Sequence, residues 1–162
     1  MTRKPTALQR FVHHFLALRP VSFLLSKFLH HADAYLLRLT GGWHTFPELV
    51  GLPIGKLTMQ GARTGKPRST PLVSVPDGET FALIATNFGQ KHHPSWYYNL
   101  KANPECQISF EGRCENYVAH EALGEEYERY WQLARSYYVG YDKYKQRAAP
   151  RRIPILVLER KS

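Results

Sequence analysis

Two cysteines, Cys106 and Cys114, stand in a chain of 162 residues. That is too few for a disulfide framework, and no secretory leader is visible. In a hairpin turning at Glu111-Gly112, Cys114 falls opposite Ser109 and not opposite Cys106. Both are therefore expected as free thiols of a reducing cytoplasm. No run of about 18 apolar residues occurs, so no membrane-spanning helix is expected. Histidines number eight, but no His-x-x-x-His or Cys/His quartet gathers them, so no metal site is expected. No Ser-His-Asp or nucleophilic cysteine constellation can be assembled, and Asp77 and Asp142 read as turn or surface residues. Phosphate loops ending in Gly-Lys-Ser/Thr and G-x-G-x-x-G fingerprints are both missing. Internal repeats and low-complexity linkers are missing too.

Acids are scarce. There are 13 Asp and Glu against 22 Lys and Arg, a net charge of +9. The excess favours an anionic ligand, a nucleic acid or an anionic membrane surface without choosing among them. The apolar fraction of 43% in this length fits a single globular domain over residues 1–162 with its own core.

Residues 1–42 read as helical. Leu8, Phe11, Val12, Phe15 and Leu16 recur at helical spacing until Pro20. A stronger stripe runs from Val21 through Leu24, Leu25, Phe28, Leu29, Ala32, Tyr35 and Leu36 to Leu39, and Gly41-Gly42 ends it. Arg10, Arg19, Lys27 and Arg38 lie opposite. The segment either covers an open end of a β-structure or rests on a membrane surface. A peripheral place on the inner face of the cell membrane would follow from the second reading.

From residue 50 to 160 the pattern is strands with helices between them. Strands are expected at Pro53–Met59, Pro71–Val75, Thr80–Ala85, Cys106–Phe110, Glu115–Ala122 and Ile153–Glu159. Turns are expected at Pro76-Asp77-Gly78-Glu79 and Glu111-Gly112-Arg113. Helices are expected at Pro94–Ala102 and Glu125–Tyr138, the second with Tyr127, Tyr130, Trp131, Ala134, Tyr137 and Tyr138 on one face. This is a mainly β, α+β chain, and its short strands suggest a small antiparallel barrel.

Two stretches carry the chemistry. Gly61 to Leu72 gathers Arg63, Lys66 and Arg68 with Thr64, Ser69 and Thr70 around Gly61 and Gly65. Such a loop can bring backbone N–H groups and cations to an anion, and a plain basic turn accounts for it as well. Ala85 to Asn99 runs from a strand end through Asn87-Phe88-Gly89 and His93 into Pro94-Ser95-Trp96. Together they read as two walls of a pocket for a flat, phosphate-bearing ligand. Tyr138, Tyr141 and Tyr144, three apart around Gly140, either pack as ordinary aromatics or face one cavity.

Gly61–Leu72, Pro94–Pro104, Tyr138–Tyr144 and Ile153-Pro154-Ile155, in that order and spacing, resemble the deazaflavin-dependent nitroreductase family, which includes quinone reductases. The resemblance implies a split β-barrel. It implies coenzyme F420, whose tail carries a phosphate and several glutamates, and two-electron reduction of quinones, nitro compounds or other small electrophilic acceptors. It implies that Ala62, Arg63, Thr64, Gly65, Lys66, Arg68, Ser69, Thr70, Pro71, Leu72 and Val73 line the coenzyme. Ile84, Ala85, Thr86 and Asn87 would lie along its ring, and Ser95, Trp96, Tyr97, Tyr98 and Asn99 would close the other side. Tyr138, Tyr141 and Tyr144 are similar to the family's substrate-side tyrosines, with Tyr141 also against the coenzyme and a candidate proton donor. Thr86-Asn87-Phe88-Gly89 stands where characterised nitroreductases commonly have Ser-Lys-Gly-Gly, and Val73 where they have a tyrosine. The sequence is thus similar to a sister branch with its own acceptor. The readings from other classes are a flavin mononucleotide (FMN) protein on the same barrel and a non-enzymatic binder of lipid or RNA. No recognised nucleic-acid motif is present. By analogy with split barrels, a homodimer is expected.

Overall fold

The computed structural model describes residues 51–161. The helical expectation for residues 1–42, with its lipid contact, lies outside them. Six strands close into one antiparallel barrel in the order β1-β2-β3-β6-β5-β4. They are β1 (Ile54–Gln60), β2 (Pro67–Asp77), β3 (Thr80–Ile84), β4 (Glu105–Phe110), β5 (Arg113–Glu121) and β6 (Ile155–Arg160). Three α-helices accompany them among the described residues: α1 (Ser95–Ala102), α2 (Gly124–Tyr137) and α3 (Gly140–Ala148).

Both expected hairpins form, β2 turning into β3 after Asp77↔Thr80 and β4 into β5 after Phe110↔Arg113. The second turn puts Ser109 opposite Cys114, as its spacing requires, so the two thiols stay apart. Cys106 is buried and Cys114 exposed, and burial pushes the Cys106 thiol up to about 12. An aromatic disulfide reagent at pH 8 is expected to titrate one thiol in the native protein and both in denaturant. Two fast thiols in the native state would contradict this packing.

Alternation sorts the core into two layers. Phe81 and Leu83 of β3 and Leu156 and Leu158 of β6 join Leu57 and Ile108 in one cluster. Their neighbours Ala82, Ile84, Ile155 and Val157 join the aromatic face of α2 in the other. β3 and β6 are therefore buried on both faces, which explains the unbroken apolar run from Ile153 to Leu158. The buried side of α2 is Tyr127, Tyr130, Trp131, Ala134 and Tyr137, one stripe at helical spacing. Glu125 and Glu126 in its first turn and Arg135 in its last suit the helix dipole.

The structure corrects two boundaries. The second helix stops at Tyr137, because Tyr138 is extended at φ −143°, ψ 105°. A further helix, α3, then follows, where the sequence reading sets out no separate helix. Gly140 makes this possible. A Cβ on Gly140 would stand 2.3–2.5 Å from the Tyr138 ring, so only glycine lets that ring fold back over the start of α3. The second strand begins at Pro67, four residues earlier than expected. Its first half, residues 67–73, pairs with β1 alone, and β3 takes over from Ser74. On an edge with no second partner, Pro67 and Pro71 lose no ladder bond.

Candidate cofactor cleft

Where β2 has no partner on its far side among the described residues, a cleft of about 1090 Å³ opens. Arg68, Ser69 and Thr70 reach it from that free edge, and Arg63 and Thr64 from the preceding turn. The turn is closed on itself. Gly61 N–H donates to the Lys66 carbonyl at 2.9 Å, and Gly65 N–H to the Gly61 carbonyl at 2.8 Å. Thr64 N–H also donates to Gly61 O, and Lys66 N–H to Thr64 Oγ1. The Ala62 N–H donates to Asn99 Oδ1 at 3.0 Å, which ties the turn to α1 on the opposite wall. These amides are used within the protein and are not free for an anion.

Charge sets the cleft's preference. Arg63, Lys66 and Arg68 are exposed, and among the described residues no carboxylate pairs with any of them. Among the described residues the cleft lining contains no Asp or Glu. Elsewhere the described cations are often matched, as in Arg129–Asp77 at 2.8 Å and Arg135–Asp142 at 2.8 Å. Unmatched guanidinium groups beside an acid-free wall favour a polyanion.

The opposite wall is the segment from Ala85 to Asn99. Trp96 offers a large apolar surface there beside Ser95, Tyr98 and Asn99. Tyr97 turns inward instead. Its hydroxyl donates to Glu121 Oε2 at 3.2 Å, and Lys101 Nζ donates to the same oxygen at 3.1 Å. Burial and then the Glu121 carboxylate hold the Tyr97 phenol above its ordinary value. This network fastens α1 to the end of β5.

Ahead of α1 the chain bends sharply. Asn87 and Phe88 both lie in the left-handed region, at φ 48° and φ 55°. The Asn87 side-chain amide donates to the His92 carbonyl at 3.1 Å. Phe88 sets its edge against Tyr144, with ring centroids 6.2 Å apart. Gly89, at φ 79°, is pressed onto α3, where a Cβ would stand 3.1 Å from the Tyr144 carbonyl oxygen and 2.9 Å from Arg147 Cβ. From the other side the Arg151 guanidinium donates to the carbonyls of Ala85, Thr86 and Gln90 at 3.2, 2.7 and 3.0 Å. Strained non-glycine backbone held from two sides is a common property of binding loops.

Of the residues expected at the site, the structure brings Ala62, Arg63, Thr64, Arg68, Ser69, Thr70 and Asn87 to the cleft, with Ser95, Trp96, Tyr98 and Asn99 facing them. Gly65 lines a neighbouring surface groove. Lys66 is exposed on the turn, and Pro71, Leu72 and Val73 continue β2 beyond the lining. Ile84, Ala85 and Thr86 are buried and outside the cleft lining. Tyr138, Tyr141 and Tyr144 also stand back from it, in the core cluster with Trp131. Tyr138 Oη lies 3.1 Å from Tyr144 Oη, and burial raises all three phenols above their ordinary value. Phe88 links this phenol cluster to the cleft-side loop.

Met59, Gly61, His92, His93 and Pro94 also line the cleft. His93 stands out in the sequence by its place just before α1. Arg151 carries no local signal.

A family model described as F420H(2)-dependent quinone reductase matches residues 30–160. The F420H(2)-dependent quinone reductase Rv1261c of Mycobacterium tuberculosis (strain ATCC 25618 / H37Rv) is 34% identical over 104 residues, 62% of this chain and 69% of that protein. A solved structure of an F420-H2 dependent reductase (FDR-A) is similar with a TM-score of 0.62 and 37% identity, over 66% of this chain and 94% of that one. A second, a domain-swapped dimer, has a TM-score of 0.64 and 32% identity, over 83% of this chain and 98% of that one.

Proposed function

The chain belongs to the F420H(2)-dependent quinone reductase family, and from that premise we propose that its cleft holds coenzyme F420 between Trp96 and the free edge of β2. The protein is an oxidoreductase of the F420H2-dependent type, acting on a quinone. When bound, the reduced coenzyme supplies a hydride from its deazaflavin ring.

The rest is the work of this chain's side chains. Arg63 and Arg68, with Lys66 on the turn, meet the phosphate and glutamates of the coenzyme tail. Thr64, Ser69 and Thr70 add hydroxyl donors. Trp96 gives the ring a flat apolar neighbour. The Asn99–Ala62 bond keeps the two walls at a fixed spacing, which serves orientation. The carrying observation is that, among the described residues, the lining has no acid and three neighbouring cations have no carboxylate partner. An FMN, with one terminal phosphate, would leave most of that charge unused.

A homodimer belongs to the same reading, supported by the related domain-swapped dimer. The basic amphipathic pattern of residues 1–42 supports contact with a lipid surface that carries the quinone. Among the described residues no helix is long and apolar enough to cross a membrane.

The test is a parallel titration with F420 and FMN by ligand fluorescence, followed by F420H2 oxidation with a soluble quinone and with a nitroaromatic. Binding of F420 alone, with turnover on the quinone, is expected. Binding of FMN alone would transfer the barrel to flavin chemistry. Binding of neither would reopen the lipid- or RNA-binding reading, with steep salt dependence as the mark of RNA.

A further inference from the structure

Arg151 sits just before β6, yet four of its side-chain hydrogen bonds run to residues 58 to 66 positions away. Among the described residues no carboxylate pairs with it. Its acceptors are the Ala85, Thr86 and Gln90 carbonyls, a long bond to the Arg152 carbonyl at 3.5 Å, and one side-chain atom, His93 Nδ1 at 2.9 Å. A guanidinium has only donors. The Nδ1 facing it must therefore carry a lone pair, which leaves the ring's proton on Nε2. His93 lines the cleft, and among the described residues its Nε2 has no protein acceptor.

From this geometry we infer that Arg151 is a positioning residue that fixes His93 as the neutral Nε2–H tautomer, so that the ring offers one N–H donor to the ligand in the cleft. The inference rests on the reading that the ligand is F420, whose ring and tail both carry acceptors. Holding the proton at a fixed atom matters because a bare imidazole nitrogen at the same place would repel those acceptors.

The surroundings of His93 agree. Burial and the Arg151 charge lower its pKa, His92 lowers it further, and only Glu121 acts the other way. The Tyr97 and Tyr98 rings, with centroids at 4.7 and 5.8 Å, hold the imidazole in place. The neutral form is therefore favoured in the folded protein, and protonation breaks the bond to Arg151. With the folded pKa below the ordinary 6.5, the unfolded chain binds more protons in between, so stability falls as pH drops below 6.5.

The test uses the full chain labelled with ¹⁵N-histidine. Long-range ¹H–¹⁵N spectra, with His93 assigned by its loss in His93→Gln, are expected to show protonated Nε2 and bare Nδ1 at pH 7. In Arg151→Met the His93 ring should titrate at higher pH and share its proton between both nitrogens. For F420 binding, His93→Leu should weaken affinity about tenfold. His93→Gln, whose amide N–H can take the place of Nε2–H, should stay within about threefold of the parent. A protonated ring or an Nδ1–H tautomer in the parent at pH 7 would overturn the inference, and so would parent-like affinity in His93→Leu. Failure of the parent itself to bind F420 would overturn the cofactor reading, whatever the tautomer.

Discussion

Arg63→Glu combined with Arg68→Glu should raise the dissociation constant for F420 between about a hundredfold and ten-thousandfold. Each charge-assisted hydrogen bond to an anion contributes about 1.5–3 kcal/mol, and two of them lost together give that range. Reversal also places two carboxylates on a wall whose described lining has none, so the upper part of the range is expected at low salt. Screening should shrink the gap as ionic strength rises. The fold should not notice. Both side chains are exposed and, among the described residues, without acidic partners, and such surface changes usually stay within about 0.5 kcal/mol. Fluorescence titration at two salt concentrations, with urea unfolding alongside, reads both halves. An affinity within threefold of the parent would put the coenzyme tail elsewhere.

Gly89→Ala should cost several times more stability than the same methyl at an open turn glycine. Gly89 has φ 79°, and its missing Cβ would stand 2.9–3.2 Å from Arg147 and the Tyr144 backbone. Left-handed backbone costs an alanine about 1–2 kcal/mol, and forcing a packed helix aside adds about 1–3 kcal/mol. Gly78→Ala is the control. It has φ 63° with nothing within 4 Å of its Cβ position, so only the backbone cost remains. Urea midpoints at equal slope should separate the two variants by about 2 kcal/mol. F420 affinity should fall in Gly89→Ala alone, because that loop backs the cleft. Equal midpoints would mean that the loop yields without strain and α3 does not hold it.

The contrast between these glycines also marks what the sequence can tell. Gly78 follows Asp77 in an alternating context, and the hairpin is legible from four residues. The helical face from Tyr127 to Tyr137 is legible for the same reason: its period is local. So is the placement of Arg63, Arg68, Trp96 and Asn99, because each lies in a stretch whose residue types already suggest its chemistry. Arg151 is different. Its neighbours Pro150 and Arg152 give a basic surface reading, and only folding brings it to Ala85, Thr86 and His93. The early start of β2 was hidden by Pro67 and Pro71, which argue against a strand until the strand is known to have one partner. Tyr138, Tyr141 and Tyr144 show the same limit. Their spacing puts them near one another, but whether phenols face a cavity or a core depends on what α2 and Phe88 place beside them.

β3 and β6 are neighbouring strands, paired from Phe81↔Leu158 to Ile84↔Ile155, with apolar layers on both faces. Their amides can meet solvent only when the whole barrel comes apart, so they should exchange hydrogen for deuterium at the slow limit set by global unfolding. Among the described residues no strand lies beyond residues 61–66 and 67–73, and their amides should exchange through small local openings. The slow and fast sets are joined by one strand, β2, whose second half belongs to the first and whose first half belongs to the second. A ligand can therefore enter and leave along the fast half, many times over, while the slow half never registers the event.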